Sequence, residues 1–564
     1  MQMLRKFVTS DVFITFLLSI VIFHFLIGVK TLNPFNTLWL QGVGDAYMHN
    51  LGWQHFKNSV WSFPVGLIPT GTQGRYTSIV FTDSIPLFAI PAKLILGHVV
   101  ANIQYIGIWI FVCYFLLLYF SRQLLASFGA EKLIAYLSAI LISLNPLMLF
   151  RLHYQLGHPA LMAHFLIVAT LLISKKENTP KKEMYWFALL ATSILVHAYI
   201  FILVFFVWTL RGCTQLGSRD HSALKVFIRF ITCTVALGVL AYCVGYFIPG
   251  VQLARTTLTT YPTSFLNLFD PGIHSYGLWS ILVPFTPQVG YHHEGLLFLG
   301  LSVLVMLPIA LYFAVYKQRN LLSAFKLFPG YIYVACLVLF LVASIKMEFE
   351  VNGDIKLLGF EVSGLASDIL GSLSIFRSNA RLAWLAYYLL MFSTIILFIS
   401  GFPRSIRARF IPLVFGLMSI LQFFDMRDGR LAIANSINSA KVVEFQTKLK
   451  SEFWQLAGKK YSMLLVLPNY RDPAASTKWG GEWRIFSSYT AFNGMTTNSV
   501  RSARSTSSFR WASSGALHEL SKNSDCNTFA VIDETLFVKA REIIGKNFWI
   551  RSIDGYWVAT PICN

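Results

Sequence analysis

Apolar stretches of membrane-spanning scale recur along the chain, at 12–29, 103–120, 133–150, 160–173, 184–210, 226–248, 296–316, 331–345, 382–402 and 410–424. A helix needs roughly 17–25 such residues to cross the hydrocarbon of a bilayer, so the pattern predicts a bundle of transmembrane helices. Past Asp425 the pattern changes. "SMLLVLP", "TFAVIDE" and "FWIRSIDGYWVA" have the residue types and lengths of strands, and helical stretches such as "AKVVEFQTKLKSEFWQLAG" precede or separate them. This predicts a soluble α/β domain over residues 425–564, following a membrane domain over 1–424.

The segments between the apolar runs set an orientation, because basic loops stay in the cytoplasm during insertion. Arg5 and Lys6 precede the first run, which is of spanning length and lacks a small-residue cleavage site, so it reads as a retained span with a cytoplasmic N-terminus. One crossing per run then puts loop 30–102 outside, 121–132 inside, 151–159 outside and the lysine-rich 174–183 inside. If 184–210 crossed once, "RGCTQLGSRDHSALK", "YKQRN" and "RSIRARF" would all face outward. A hairpin of two short helices turning near "LVHAYI", with His197 at the turn, returns every basic loop to the cytoplasm. The expectation is about eleven passes, the hairpin counting as two, with a hydrated outer cavity to satisfy the interrupted backbone. Loops 30–102, 151–159, 249–295 and 346–381 and the tail 425–564 become extracytoplasmic, and the chain is expected in a bacterial inner membrane with these parts in the periplasm. Within the first loop, "SIPLFAIPAKLILG" is interrupted by Pro86, Pro91 and Lys93 and predicts an interfacial helix on the outer leaflet.

Composition fits this picture: 13% of the residues are charged, against roughly 25% in soluble domains. The net charge of +20 sits in short clusters between apolar runs rather than on one patch, so no nucleic-acid partner is expected. The seven cysteines show no zinc-like spacing. Cys113, Cys213, Cys233, Cys243 and Cys336 lie in or beside apolar segments and read as small packing residues. Cys526 and Cys563 could form a disulfide if the tail is outside the cytoplasm.

The unusual polar residues fall in four outer segments. The first has Asp45, His49, Arg75 and Asp83. The second, "RLHYQLGHPALMAH", has Arg151, His153, His158 and His164. The third has Asp270 in "LFDPGIH" and His292, His293 and Glu294 in "GYHHEGLLFLG". The fourth, "IFRSNARLAW", has Arg377, Asn379 and Arg381. Each alone has a plain structural account: a histidine satisfied at a helix end, an arginine snorkelling to headgroups, Glu294 capping a helix that begins near Gly295. Together they place acid, base and cation on one side of the membrane.

A multi-spanning chain with an Asp soon after its first span, a large first outer loop and a soluble extracytoplasmic end resembles the GT-C class of membrane glycosyltransferases. "GDAYMHNLGW", "FTDSIPLFAIPAK", "GHPALMAH", "HHEGLLFLG" and "FRSNARLAW" look like a bacterial branch of that class, over roughly residues 10 to 430. The resemblance implies a GT-C-like membrane domain, a polyprenyl-phosphate-linked sugar donor and inverting transfer to a glycan, lipid-linked saccharide or surface protein. Asp45, at the position of the class's first-loop aspartate, would be the base that deprotonates the acceptor hydroxyl. The phosphate leaving group calls for cations, which Arg377 and Arg381, with Arg151 and His158, would supply. His49, Asp83, Asp270, His293, Glu294 and Asn379 would contact sugar or acceptor. Some members use an Asp-x-Asp pair with a divalent metal. Here the loop reads Asp45-Ala46-Tyr47, so no cofactor is required, although Asp45, His49 and Glu294 are the residues that could hold one.

Two other classes compete. A polyprenyl-lipid or polysaccharide transporter or flippase would place charge near the membrane midplane and show inverted repeats, and neither feature is visible. A non-catalytic subunit of a cell-envelope assembly would tolerate loss of Asp45. The segment "TTNSVRSARSTSSFRWASS", with Arg501, Arg504 and Arg510, is expected either as a solvated loop or as a basic flap touching an anionic acceptor or lipid headgroups.

Overall fold

The structure, a computed structural model, describes residues 10–41, 44–71, 75–97, 102–152, 157–176, 179–217, 222–248, 258–272, 279–284, 293–317, 326–349, 355–357, 360–362, 376–439, 442, 444–469, 476–503, 513–522 and 526–563. They form two compact units, and the division differs from a cut at Asp425. One unit comprises 1–33, 107–237 and 255–437, and the other 34–106, 238–254 and 438–564. The first outer loop therefore belongs with the tail.

The first unit is helical. Among the described residues, six helices are long and apolar enough to cross a membrane: Ile106–Ala126, Lys132–Phe150, Ala198–Leu216, Ala223–Cys243, Asn379–Gly401 and Arg404–Asp425, the fourth of which runs on into the second unit. Shorter apolar helices include Asp11–Leu26, Pro159–Lys175, Leu301–Tyr316 and Gly330–Ser344. Burial locates the core. In Lys132–Phe150 and Asn379–Gly401 83% of the apolar window is buried, against 22% in Arg404–Asp425, which leaves its apolar residues facing outward as a lipid-facing helix does.

The run 184–210 breaks where its charge pattern predicts. Pro180–Val196 ends at His197, whose extended backbone interrupts the helix, and the His197 Nδ1 accepts from the Tyr199 N–H to start Ala198–Leu216. Glu183 and Arg211, equally far from His197 along the chain, form an ion pair with one contact of 3.1 Å. Two helices whose far ends meet are antiparallel, so this is a hairpin.

The loops of this unit sort to two ends. At one end Asp11 pairs with Arg122 at 2.7 Å and Lys132 at 3.5 Å. Arg407 meets Glu131 at 3.7 Å, Lys175 lies on the Phe128 ring at 3.0 Å, and Phe128 packs on Phe328. The segments around 11, 122–132, 175–183, 211, 328 and 407 thus gather together. The opposite end collects 150–152, 157–164, 197–199, 260–270, 293–300 and 376–384. A small antiparallel sheet, Leu258–Thr259, Met347–Phe349, Ile355–Leu357 and Phe360–Val362 in that order, lies in the segments that sequence reading left as outer loops.

The second unit contains the α/β tail. Met463–Leu467 is flanked by Thr496–Thr497 and Thr528–Ile532, both parallel to it. The hairpin Phe548–Ile553/Tyr556–Pro561 adds antiparallel to the far side of Thr528–Ile532. The hairpin turns on Asp554-Gly555, both at positive φ, as a two-residue turn requires. Alternate residues face two cores. Leu464, Val466, Phe529 and Val531 pack with Trp454, Ile485, Phe486 and Tyr489 from two helices, Glu452–Lys460 and Thr477–Phe492. Leu465, Leu467, Ala530 and Ile532 pack with Leu517, Leu520, Ala540 and Ile544 from Ser513–Lys522 and Phe537–Ile544 on the other face. All three predicted strand segments are present, and Cys526 is disulfide-bonded to Cys563. Of the other cysteines, Cys113 and Cys336 are buried, whereas Cys213 is exposed and does not pack as expected.

The first outer loop is fastened to this domain. Asp45–Asn58 packs on Thr477–Phe492 through Tyr47, Leu51, Trp483 and Ala491, with the Asn58 Nδ2 donating to the Ala491 carbonyl at 3.0 Å. The stretch expected to lie at the interface is helical over Pro86–Leu96, with Leu94 and Ile95 exposed. Its Lys93 turns inward, onto the rings of Phe56 and Trp61.

Candidate functional site

The sequence candidates divide between the units. In the helical unit, Glu294 lies in a short turn, His293–Gly295, that the fold holds tightly. The Gly295 carbonyl accepts from Thr263 Oγ1 at 2.7 Å and Asn267 Nδ2 at 2.8 Å. A Cβ at Gly295 would stand 2.8 Å from the Pro262 carbonyl oxygen, so only glycine fits beside this acid. The helix begins later, at Leu301, and Glu294 does not cap it.

Its carboxylate bridges two arginines instead. Arg381 donates from Nε to Oε2 at 3.1 Å and from Nη2 to Oε1 at 2.9 Å, and Arg151 donates from Nη1 to Oε2 at 3.0 Å. All three side chains are largely buried, at 2% exposure for Arg151, 8% for Arg381 and 15% for Glu294. Burial alone would push the Glu294 carboxyl up; the Arg381 and Arg151 guanidiniums reverse that and hold it well below the usual range. Aromatic rings complete the setting. Arg151 lies over Phe150 and Trp384, and Arg381 lies 4.7 Å over the Tyr199 ring at the hairpin turn. The Tyr199 hydroxyl accepts from the Ser378 N–H, tying the hairpin to the segment that carries Arg381. His158 meets His197 at 5.3 Å between ring centroids, and His164 stacks on Trp384 and hydrogen-bonds Tyr388.

Three of the sequence candidates have surroundings that differ from those of Glu294. Asn379 donates to the Val342 and Ile345 carbonyls at 2.9 and 2.6 Å, so its buried amide closes the end of Gly330–Ser344. Asp270 accepts from the Gly272 N–H at 3.0 Å, a local turn contact. Arg377 is exposed, 5.9 Å from the Tyr261 ring, so it and Arg381 are not equivalent cations. His293 lies against Phe150. Tyr199, Tyr261, Trp384 and Tyr388 escaped sequence reading, since aromatic residues at span ends are ordinary in membrane helices.

In the second unit Asp45 opens the helix Asp45–Asn58, four residues before His49, so both share a helix face. Gly52 on this helix leaves no room for a Cβ against Thr82, and Ser84 Oγ donates to the His49 carbonyl at 3.0 Å. This close approach brings Asp83, itself at φ +53°, to 3.9 Å from His49 Nε2. Burial pulls the His49 pKa down to about 3, so the contact joins a neutral imidazole to a carboxylate. Burial likewise lowers His55 to about 4, against a smaller opposing effect of Ser487.

The donor set for a metal is poor at Glu294, because both its oxygens accept from guanidiniums and two positive charges stand beside it. Asp45 and His49 belong to the other unit. Of the arginines foreseen as a flap, Arg501 lies 5.2 Å over the Trp483 ring, while Arg504 and Arg510, like His153 and His292, lie outside the described residues.

A family model for a domain of unknown function, DUF6311, matches residues 16–427, and the model of that family's C-terminal domain matches 453–561. The comparison with curated proteins gives no match.

Proposed function

We propose, from the premise that the chain belongs to the DUF6311 family, that it is an inverting glycosyltransferase of the bacterial inner membrane. Its donor is a sugar linked to polyprenyl phosphate, and its acceptor is an extracytoplasmic glycan, lipid-linked saccharide or surface protein. The observation that carries the reading is the buried Arg151–Glu294–Arg381 bridge at one end of a helical bundle. One carboxylate between two guanidiniums leaves a net positive charge, fixed in place before any ligand arrives. Such preorganised charge is what a leaving phosphate needs as negative charge develops on it. Arg377, exposed on the same segment, is the second cation proposed for the phosphate.

In the reaction, the acceptor hydroxyl attacks the anomeric carbon and loses its proton to Asp45. The bond from that carbon to the phosphate oxygen breaks, polyprenyl phosphate leaves with the electron pair, and configuration inverts. Asp45 at the first turn of its helix suits an ionised carboxylate, which the helix dipole favours there. On the reading of about eleven passes, the Glu294 end faces outward. The disulfide Cys526–Cys563 supports a tail in an oxidising compartment, and exposed Leu94 and Ile95 support an interfacial helix on the outer leaflet.

The test is Asp45→Asn, which keeps shape and removes proton acceptance. Transfer from a polyprenyl-phosphate sugar by purified protein should fall about a hundredfold or more, with donor affinity little changed. Near-normal transfer by the variant would remove Asp45 as the base.

A further inference from the structure

We infer that the opposite end of the helical unit holds a binding site for the phosphate of an anionic phospholipid. A cavity of ≈ 260 Å3 opens there, lined by Ser174, Lys176, Lys182, Arg211, Gln215 and Tyr331 among others. It is smaller than a typical drug-sized pocket, roughly 300–1,000 Å3, and suits a headgroup rather than a whole lipid.

The walls are built for an anion. Lys182 and Arg211 are buried, at 3% and 2% exposure, while Lys176 is exposed at the rim. The Lys182 ammonium is held in place, donating to the carbonyls of Ser174 and Lys176 at the end of the preceding helix. Arg229 joins from the next helix, bonding Gln215 and pairing with Glu183 at 3.0 Å. Among the described residues, Lys176, Lys182 and Arg211 line the cavity, Arg211 and Arg229 share the single carboxylate of Glu183, and the Lys176 ammonium lies 4.4 Å over the Tyr185 ring. A buried surplus of positive charge is costly until an anion offsets it. The Gln215 amide N–H and the Tyr331 hydroxyl, whose contact to the Ser174 carbonyl is a long 3.5 Å, can share the phosphate oxygens.

The surroundings favour a lipid over free phosphate. Met184, Tyr185, Phe187 and Leu216, on the two arms of the hairpin near this end, are exposed apolar residues against which acyl chains can lie. Basic pockets between membrane helices at the cytoplasmic side are recognised headgroup sites. Only the choice of leaflet rests on the orientation proposed above; binding itself does not.

The experiment is native mass spectrometry of the full chain in detergent with equimolar phosphatidylglycerol and phosphatidylcholine. Phosphatidylglycerol should be retained several-fold more, and Lys176→Glu with Thr214→Asp, both at exposed rim positions, should cut that retention at least fivefold. Lys182→Met should do the same, with thermal unfolding reporting whether the variant folds. Millimolar inorganic phosphate should leave the bound lipid in place. If phosphate displaces it fully, the site takes soluble phosphate and the lipid assignment is overturned. Equal retention of the two lipids, or retention unchanged in the rim variant, overturns the site.

Discussion

Glu294 is the acid between two buried guanidiniums, and removing its charge would leave like charges facing each other out of water. Glu294→Gln should therefore destabilise the helical unit by about 3–5 kcal/mol, as breaking a buried ion pair from one side does. Replacing Glu294, Arg151 and Arg381 together by leucine should cost less than the single change, because no charge is stranded. Chemical unfolding in detergent measures both, and a loss below about 1 kcal/mol for the single variant would mean that water solvates the cluster. The sequence made Glu294 a candidate through its place beside His293, but not its role, since its partners lie 143 and 87 residues away. Asn379 and Asp270 looked the same in sequence as ligand-binding residues. The Asn379 amide N–H groups and one Asp270 carboxylate oxygen bond backbone groups, and residue type alone does not tell a carbonyl from a sugar hydroxyl as partner.

Elements were more legible where charge or periodicity constrained them. The hairpin around His197 was foreseen because a single helix would have turned three basic loops outward, and the Glu183–Arg211 pair is its signature. Cysteines at these two positions, separated by 28 residues, should cross-link readily with a short reagent. On one continuous helix they would be roughly 40 Å apart, and no cross-link would form. The sheet of Leu258–Thr259 with Met347–Phe349, Ile355–Leu357 and Phe360–Val362 was not foreseen, because strands of two or three residues carry no readable alternation. The helix Asp45–Asn58 carries a pH dependence of its own. His49 and His55 titrate near about 3 and about 4 when folded against 6.5 ordinarily. Between those values the unfolded state binds more protons, so stability is full above the ordinary pKa and is lost as pH falls. At pH 5 the loss is about 2 kcal/mol for each histidine. Protection factors of this helix, referenced to the intrinsic exchange rate at each pH, should fall from pH 7 to 5, and less so in His55→Asn; equal protection at both pH values would show that the histidines are hydrated.

At the scale of the whole chain, two independent features bear on orientation. Loop charge requires the segments around 122–132, 174–183, 211–222 and 404–410 to share one side, and in the helical unit the described parts of these segments do gather at one end. A disulfide such as Cys526–Cys563 is expected on an oxidising side. The first outer loop, fastened to the tail through Tyr47, Leu51 and Trp483, must share that side with it. This grouping was not legible, because residues 34–106 and 438–564 meet only in three dimensions and each reads in sequence as an appendage of its nearest span. The orientation predicts a labelling pattern. In intact spheroplasts, a cysteine introduced at exposed Val538 in the tail should react with a membrane-impermeant maleimide. One introduced at exposed Lys181, in the basic loop, should react only after the membrane is permeabilised. The opposite pattern would put the disulfide in a reducing compartment and the Glu294 end in the cytoplasm. A polyprenyl-linked donor presented from outside could not then be the substrate, whatever the chemistry of Asp45.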